Sequence, residues 1–128
     1  MPRRWHLAAT TAFGLATAGF GAALLRDPDV LLRPPAIAGG EHDGRRTRVL
    51  ARAAGARDIA SGLVLVAAAL GGRPDRLRAA LTARAVGDLT DVVWTLVAAP
   101  APRKPLAAGL AATGAAVALL LRRTVGTA

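Results

Sequence analysis

The sequence predicts an all-α integral membrane protein, a single domain in which four transmembrane helices pack as a bundle. Three observations favour this fold class. More than half of the 128 residues are apolar (53%), whereas aromatic residues make up only 3%. The apolar residues are mostly Ala, Leu and Val, which suit helices that pack closely in lipid better than they fill a soluble core. Arginines form short clusters at the ends of apolar runs, where charge sets the orientation of membrane helices.

The net charge of +9 would by itself indicate a nucleic-acid partner. The arginines do not form one stripe, so we predict no nucleic acid and expect membrane lipid around the chain. The chain has no cysteine, which excludes disulfides and thiolate chemistry. Arginine outnumbers lysine sixteen to one, a bias typical of GC-rich bacterial genomes, and we expect a multi-pass protein of the bacterial inner (cell) membrane.

The first span is predicted over residues 5–25. Residues 7–25 are 19 consecutive uncharged positions, and a helix needs about 20 residues to cross the hydrocarbon core. Trp5 stands at the start of the span, where amphipathic rings prefer the headgroup level. A cleavable signal peptide is the alternative, with Arg3-Arg4 as its basic region and Ala16-Thr17-Ala18 as its cleavage site. We favour the span because the apolar run continues well past that site.

A long polar loop is predicted over residues 26–48. Asp27-Pro28-Asp29 stops the first helix, and Pro34-Pro35 keeps the chain that follows out of helical conformation. The run Glu41-His42-Asp43 offers three potential metal ligands, but it lacks the helical or hairpin spacing that fixes a coordination sphere. We therefore interpret it as solvated loop, and we predict neither a metal site nor a cofactor.

The three remaining spans are predicted over residues 49–71, 77–99 and 106–121. The strictly uncharged run that ends the second span has only 14 residues, from Ile59 to Gly72 in the turn, so the span must take Arg57 and Asp58 into the membrane to cross it. A short Gly- and Pro-containing turn joins the second span to the third. The fourth span carries no charge and ends at Arg122-Arg123.

Five ionisable residues lie away from the ends of the predicted spans, and we predict that they form the functional site: Arg57, Asp58, Arg84, Asp88 and Asp91. Charged groups at bilayer depth are costly unless they are paired, so they are expected to face the bundle interior. The three on the third span stand at positions i, i+4 and i+7, which places them on one helix face. Counting residues from the shared turn puts the pair on the second span level with this face.

The pairing of these charges is predicted from their depth. Arg57 is expected to bridge to Asp91 or Asp88, and Arg84 to support Asp88 from one turn away. Two arginines and three carboxylates leave one negative charge in excess, which a proton can neutralise. One interpretation is that the network only holds the two helices in register, as buried ions do in some proteins. The other is a polar pocket in an apolar wall, where a carboxyl group acts as an acid or a base.

Asp58 is the predicted working carboxyl group. It points about 100° away from Arg57 around the helix, so we expect it to be the carboxyl least compensated by arginine. Gly55 and Gly62 lie on the same side of the helix, and their missing side chains are expected to leave room for a ligand.

A resemblance to known proteins rests on Leu24-Leu25-Arg26-Asp27-Pro28-Asp29, on Gly55-Ala56-Arg57-Asp58 with Gly62, and on Asp88 or Asp91. In these positions the chain resembles a set of small bacterial membrane proteins of unknown function, which is similar to the DoxX-like four-helix superfamily. The resemblance covers most of the chain. It implies a four-helix bundle with Arg57 and Asp58 at an important site, and it implies no reaction. Arg84 and the long arginine-rich first loop depart from the pattern.

The sequence leaves three functions open. The first is a cofactor-free acid–base enzyme that acts on an apolar small molecule by ring closure, double-bond isomerisation or epoxide opening. The second is a non-catalytic scaffold or accessory subunit that binds a partner protein through Ala/Gly helix faces. The third is a proton-coupled transporter or channel, which requires a homo-oligomer because four helices enclose only a narrow path. Positive residues divide equally between the two sides, and discounting the long loop favours both termini in the cytoplasm.

Overall fold

The computed structural model describes residues 3–28, 44–98 and 104–125, and within these residues it contains four α-helices and no strand. The helices are α1 (Arg3–Arg26), α2 (Gly44–Leu70), α3 (Pro74–Ala98) and α4 (Lys104–Thr124). The all-α prediction is confirmed. The run Glu41-His42-Asp43, which we interpret as solvated loop, lies outside the described residues.

The helix boundaries follow local signals in the sequence. Pro28 ends α1, because it has no N–H group and disfavours helical conformation at Asp27. α2 begins already at Gly44, inside the predicted loop, so the helix extends past the apolar run into arginine-rich sequence. Gly72 has a φ of +63°, the left-handed conformation that terminates α2. Pro74 then begins α3, at a position where a helix leaves the N–H unbonded.

Each helix buries one stripe of residues at three- and four-residue spacing, the pattern of a bundle seam. The stripe on α1 is Thr10, Gly14, Thr17, Gly21 and Leu24, and that on α2 is Gly55, Asp58, Gly62, Leu65 and Ala69. Two positions of these seams are occupied by carboxylates, Asp58 on α2 and Asp88 on α3, which are 5% and 2% exposed. Among the described residues the interior is therefore mostly apolar, and it contains two carboxylates.

α1 and α2 are antiparallel and pack closely along most of their length. Two glycine pairs permit this approach, since Gly14 faces Gly62 and Gly21 faces Gly55. A Cβ atom on Gly14 would lie 2.7 Å from the carbonyl oxygen of Gly62, and a Cβ atom on Gly55 would lie 2.6 Å from that of Gly21. On both helices the two glycines are seven residues apart, close to two turns, so both contacts fall on one line.

α3 and α4 form the second close pair, whereas α2 and α3 approach each other at few positions. An apolar core closes the end of the bundle that contains the α2–α3 turn, and its buried members are Leu65, Ala69, Leu77, Leu81, Ala85, Ala118, Leu121 and Val125. At the same end Arg78 Nε donates to the Val125 carbonyl oxygen at 2.7 Å, and Arg122 Nε donates to Thr82 Oγ1 at 2.8 Å. The fold is therefore two helix pairs that are packed together at one end.

Two helices of the described residues are long and apolar enough to cross a membrane, by length and composition only: Trp5–Arg26 and Arg48–Leu70. α3 carries charged side chains along its length, and the uncharged run of α4 has 17 residues, from 105 to 121. Length and composition therefore support membrane spans for α1 and α2.

The glycine contacts between α1 and α2 generate a testable expectation. Gly21→Ala should lower the free energy of unfolding by about 1–3 kcal/mol, because its methyl group would meet the Gly55 backbone. Gly19→Ala is the matched control, since a Cβ atom there has nothing within 4 Å. Thermal unfolding of the two variants in one detergent measures the difference. Equal melting temperatures would contradict the close approach of the two helices.

Candidate functional site

Five charged side chains on α2 and α3 form one alternating series of ion pairs, Asp88–Arg84–Asp58–Arg57–Asp91, which we call the charge chain. Arg84 binds Asp88 twice, with Nε 2.9 Å from Oδ2 and Nη2 2.6 Å from Oδ1. Arg84 Nη1 also donates to Asp58 Oδ1 at 2.8 Å. Arg57 Nη2 lies 3.2 Å from the same oxygen, and Arg57 Nη1 donates to Asp91 Oδ1 at 2.7 Å. A further bond joins Arg57 Nη2 to Asp91 Oδ2.

The structure confirms two of the predicted pairs. Arg57 bridges α2 and α3 by binding Asp91, as the depth count indicates. Arg84 binds Asp88 one turn further along α3. Arg84 also binds Asp58, a pair that residue spacing does not predict. This bond is the second ionic bridge between α2 and α3.

The expectation that Asp58 is the carboxyl least compensated by arginine is wrong. Asp58 accepts hydrogen bonds from both Arg84 and Arg57 through the same oxygen. The 100° separation on the helix describes where the side chains of Arg57 and Asp58 leave the backbone. The long arginine side chain brings its guanidinium group back within reach of its neighbour.

The glycines beside Asp58 also have a different role from the predicted one. Gly55 and Gly62 leave no room for a ligand, because the backbone of α1 fills the space next to both of them. They permit the close approach of α1, and this approach covers Asp58 from one side. The side chain of Asp58 is accordingly 8% exposed.

Each buried carboxyl group faces a glycine on an outer helix. A Cβ atom on Gly21 of α1 would lie 3.1 Å from the Cβ atom of Asp58. A Cβ atom on Gly114 of α4 would lie 2.5 Å from Asp88 Oδ2. The two glycines therefore provide the volume that the two carboxyl groups occupy.

Ser61 supports the centre of the charge chain. Its hydroxyl oxygen accepts a hydrogen bond from Arg84 Nη1 at 2.9 Å and lies 3.3 Å from the Asp58 carbonyl oxygen, to which it donates. With these bonds Arg84 uses its Nε, Nη1 and Nη2 atoms on partners inside the bundle. Ser61 lies one turn after Arg57 on the same helix face, and this spacing is the sequence pattern that indicates its place at the site.

The Arg57–Asp91 end of the charge chain is more exposed than the end formed by Asp88, Arg84 and Asp58. The side chains of Asp88, Asp58 and Arg84 are 2%, 8% and 12% exposed, whereas those of Asp91 and Arg57 are 35% and 43% exposed. Asp91 and Arg57 are therefore the members of the charge chain most accessible to another molecule.

A cleft of about 660 Å³ lies between the two helix pairs and contacts all four helices. Its lining is mostly apolar and includes Phe13, Phe20, Leu24, Leu50, Trp94 and Leu110. All five residues of the charge chain line it as well, together with Thr17 and Thr95. This volume and this lining, apolar with a few convergent polar groups, are typical of small-molecule sites.

A smaller cavity of about 340 Å³ lies between α2 and α3, lined mainly by small residues of these two helices. Arg57, Arg84 and Asp88 line both this cavity and the cleft. The charge chain therefore borders both spaces, and ionic side chains instead of close backbone contact join α2 to α3.

Compared with protein-family models, with curated proteins and with solved structures, the chain matches none of them. The resemblance to the DoxX-like superfamily stays a prediction that rests on the motif residues. Among the described residues, no group of three or more His, Cys, Asp or Glu side chains is arranged to hold a metal ion. The chemistry of the site must therefore be inferred from the charge chain and the cleft.

The two arginines are expected to contribute unequally to stability. Arg84→Ala should lower the free energy of unfolding by about 3–5 kcal/mol, because it leaves Asp88 buried without its partner. Arg57→Ala should lower it less, because Arg57 and Asp91 are both partly exposed to the cleft. Melting temperatures of the two variants in detergent measure the order. A larger loss for Arg57→Ala would contradict the exposure gradient along the charge chain.

Proposed function

We propose that this chain is a bacterial inner-membrane protein with four spans, whose cleft binds an apolar small molecule. We further propose that Asp91, together with Arg57, performs acid–base chemistry on that molecule without a cofactor. One observation carries the proposal: an apolar cleft of small-molecule size is lined by the more exposed pair of a buried charge chain.

The membrane assignment is supported by the outer surface of the bundle. Each helix places large apolar side chains on the outside, and Leu15, Leu63, Val93 and Leu120, one from each helix, are all more than half exposed. Soluble proteins rarely expose contiguous apolar surface on this scale. Lipid would cover these side chains, and the charge chain would then lie at bilayer depth, where pairing is required.

Four spans predict that both ends of the chain lie on the same side of the membrane, in the cytoplasm. Reporter fusions at Met1 and Ala128 test this expectation, with a third fusion in the α2–α3 turn, which should report the same side as the ends. A control fusion after Arg26 should report the opposite side. Signals from opposite sides at Met1 and Ala128 would rule out the four-span arrangement.

The proposed chemistry uses the free hydrogen-bonding capacity of Asp91. Each oxygen of Asp91 accepts one bond from Arg57, which leaves further lone pairs for a ligand in the cleft. Its carboxylate can take a proton from one atom of the ligand and return a proton to another. Ring closure and double-bond isomerisation need only such proton transfers, so they fit a site built from carboxyl and guanidinium groups.

The alternative is a scaffold in which the charge chain only joins α2 to α3. The pairing of all three carboxyl groups with arginine favours it, because a network of this kind can fix the register of two helices. The cleft has no role in that case. Binding and turnover therefore separate the two functions.

A paired measurement on Asp91→Asn tests the catalytic role. Apolar compounds that raise the melting temperature of the wild-type protein in detergent would first be selected, since binding to the folded state stabilises it. Asp91→Asn should still bind these compounds but form product at least about a hundredfold more slowly, the scale of a general acid–base contribution. Product is followed by mass spectrometry.

Asp75→Asn is the matched control for that measurement, because Asp75 is exposed in the first turn of α3, away from the cleft. It should bind and turn over like the wild type. Normal turnover by Asp91→Asn would remove the catalytic assignment. If no apolar compound raises the melting temperature, the scaffold is the better account.

A further inference from the structure

The aromatic residues of this chain are concentrated in one place. The sequence has two Phe, two Trp and no Tyr. Phe13, Phe20 and Trp94 line the cleft, and Trp5 is the fourth. Phe13 and Phe20 are seven residues apart on α1, and Trp94 follows Asp91 by three residues on α3, which puts both members of each pair on one helix face. Three of the four aromatic residues in an aromatic-poor chain therefore line the same cleft as its most accessible carboxyl group.

The same cleft has an excess of negative charge. α2 contributes Arg57 and Asp58 to its lining, and α3 contributes Arg84, Asp88 and Asp91. The described residues of α1 and α4 that line the cleft carry no charge. Two guanidinium groups and three carboxylates leave one negative charge, and none of the other described residues of the lining compensates it.

We propose that the natural ligand of the cleft is a lipophilic organic cation, an apolar molecule that carries one ammonium or similar positive group. This inference rests on the proposed binding cleft and specifies the class of ligand. One positive charge near Asp91 makes the charge chain neutral, which favours binding in a low-dielectric site. The faces of Trp94, Phe13 and Phe20 add cation–π attraction, and the remaining apolar wall covers the body of the ligand.

Other ligand classes fit the cleft less well. An anion would add a second negative charge to an apolar space that already holds one in excess. A neutral molecule would leave the excess charge to be neutralised by a proton, and it would gain nothing specific from the grouping of carboxyl group and aromatic rings. A cation uses both features in the same place.

Two isosteric probes test the proposal, because they differ only in charge: benzyltrimethylammonium and neopentylbenzene, in which carbon replaces the nitrogen atom. Trp5→Phe leaves Trp94 as the chain's one tryptophan and thus as a reporter inside the cleft. Quenching of its fluorescence in lipid nanodiscs gives the affinity of each probe. We expect the cation to bind at least about tenfold more tightly than the neutral probe, from ion pairing and cation–π attraction together.

Two variants in the Trp5→Phe background assign the effect to the cleft. Asp91→Asn should weaken binding of the cation about tenfold and leave the neutral probe unchanged, because it removes one negative charge from the lining. Phe20→Leu keeps an apolar side chain but removes an aromatic face, so it should also weaken the cation selectively. This second variant leaves the charge chain intact, so it tests the proposal even if Asp91→Asn fails to fold.

The outcomes separate this inference from the proposed function. Equal or tighter binding of the neutral probe would overturn the cationic ligand and would support an apolar cleft. Tight binding of the cation that neither variant weakens would also overturn it, because the charge and the rings would then have no part in recognition. If neither probe quenches Trp94 or raises the melting temperature, the cleft does not bind small apolar molecules, and both proposals fail.

Discussion

The charge chain is the interaction on which the arrangement of this bundle depends. α1 packs on α2 and α3 on α4 through close backbone approach, but α2 and α3 approach each other at few positions. Arg84 and Arg57 bridge this gap, each by holding carboxyl groups of both helices. Because the charges alternate in sign along the series, every inner member has a partner on each side. Loss of an inner member would therefore interrupt pairing on both sides of it.

Helix packing and ionic pairing are linked through glycine. A buried carboxyl group needs hydrogen-bonding partners and also needs volume. A well-packed interior offers little unoccupied volume. Gly21 and Gly114 supply it from the two outer helices, next to Asp58 and Asp88. The same Gly21 also lets the backbone of α1 contact Gly55. One small residue thus contributes to the α1–α2 contact and to the position of a charge.

Sequence periodicity was sufficient for those parts of the structure that depend on a single helix or on the α2–α3 hairpin. The four helices, the i, i+4 pair of Arg84 and Asp88, and the level of Arg57 with Asp91 all follow from counting residues. The bond from Arg84 to Asp58 depends on how α2 and α3 are rotated about their axes, which periodicity does not define. The role of Gly55 was missed because no pattern within α2 identifies the helix that covers it. The matching seven-residue glycine spacings on α1 and α2 were a signal that could have revealed this contact.

The apolar core lies at one end of the bundle, so a rotation of a helix pair about that end moves its far end the most. α3 and α4 are fixed to each other and to the rest of the bundle at the end that holds the α2–α3 turn. Asp91 lies 19 residues beyond Gly72, a distance of roughly 28 Å along the helix. Rotation of the α3–α4 pair by about 5° around the fixed end would therefore move Asp91 by about 2.5 Å from Arg57. Arg84 lies nearer the fixed end and would move less relative to Asp58, so widening separates Asp91 from Arg57 first.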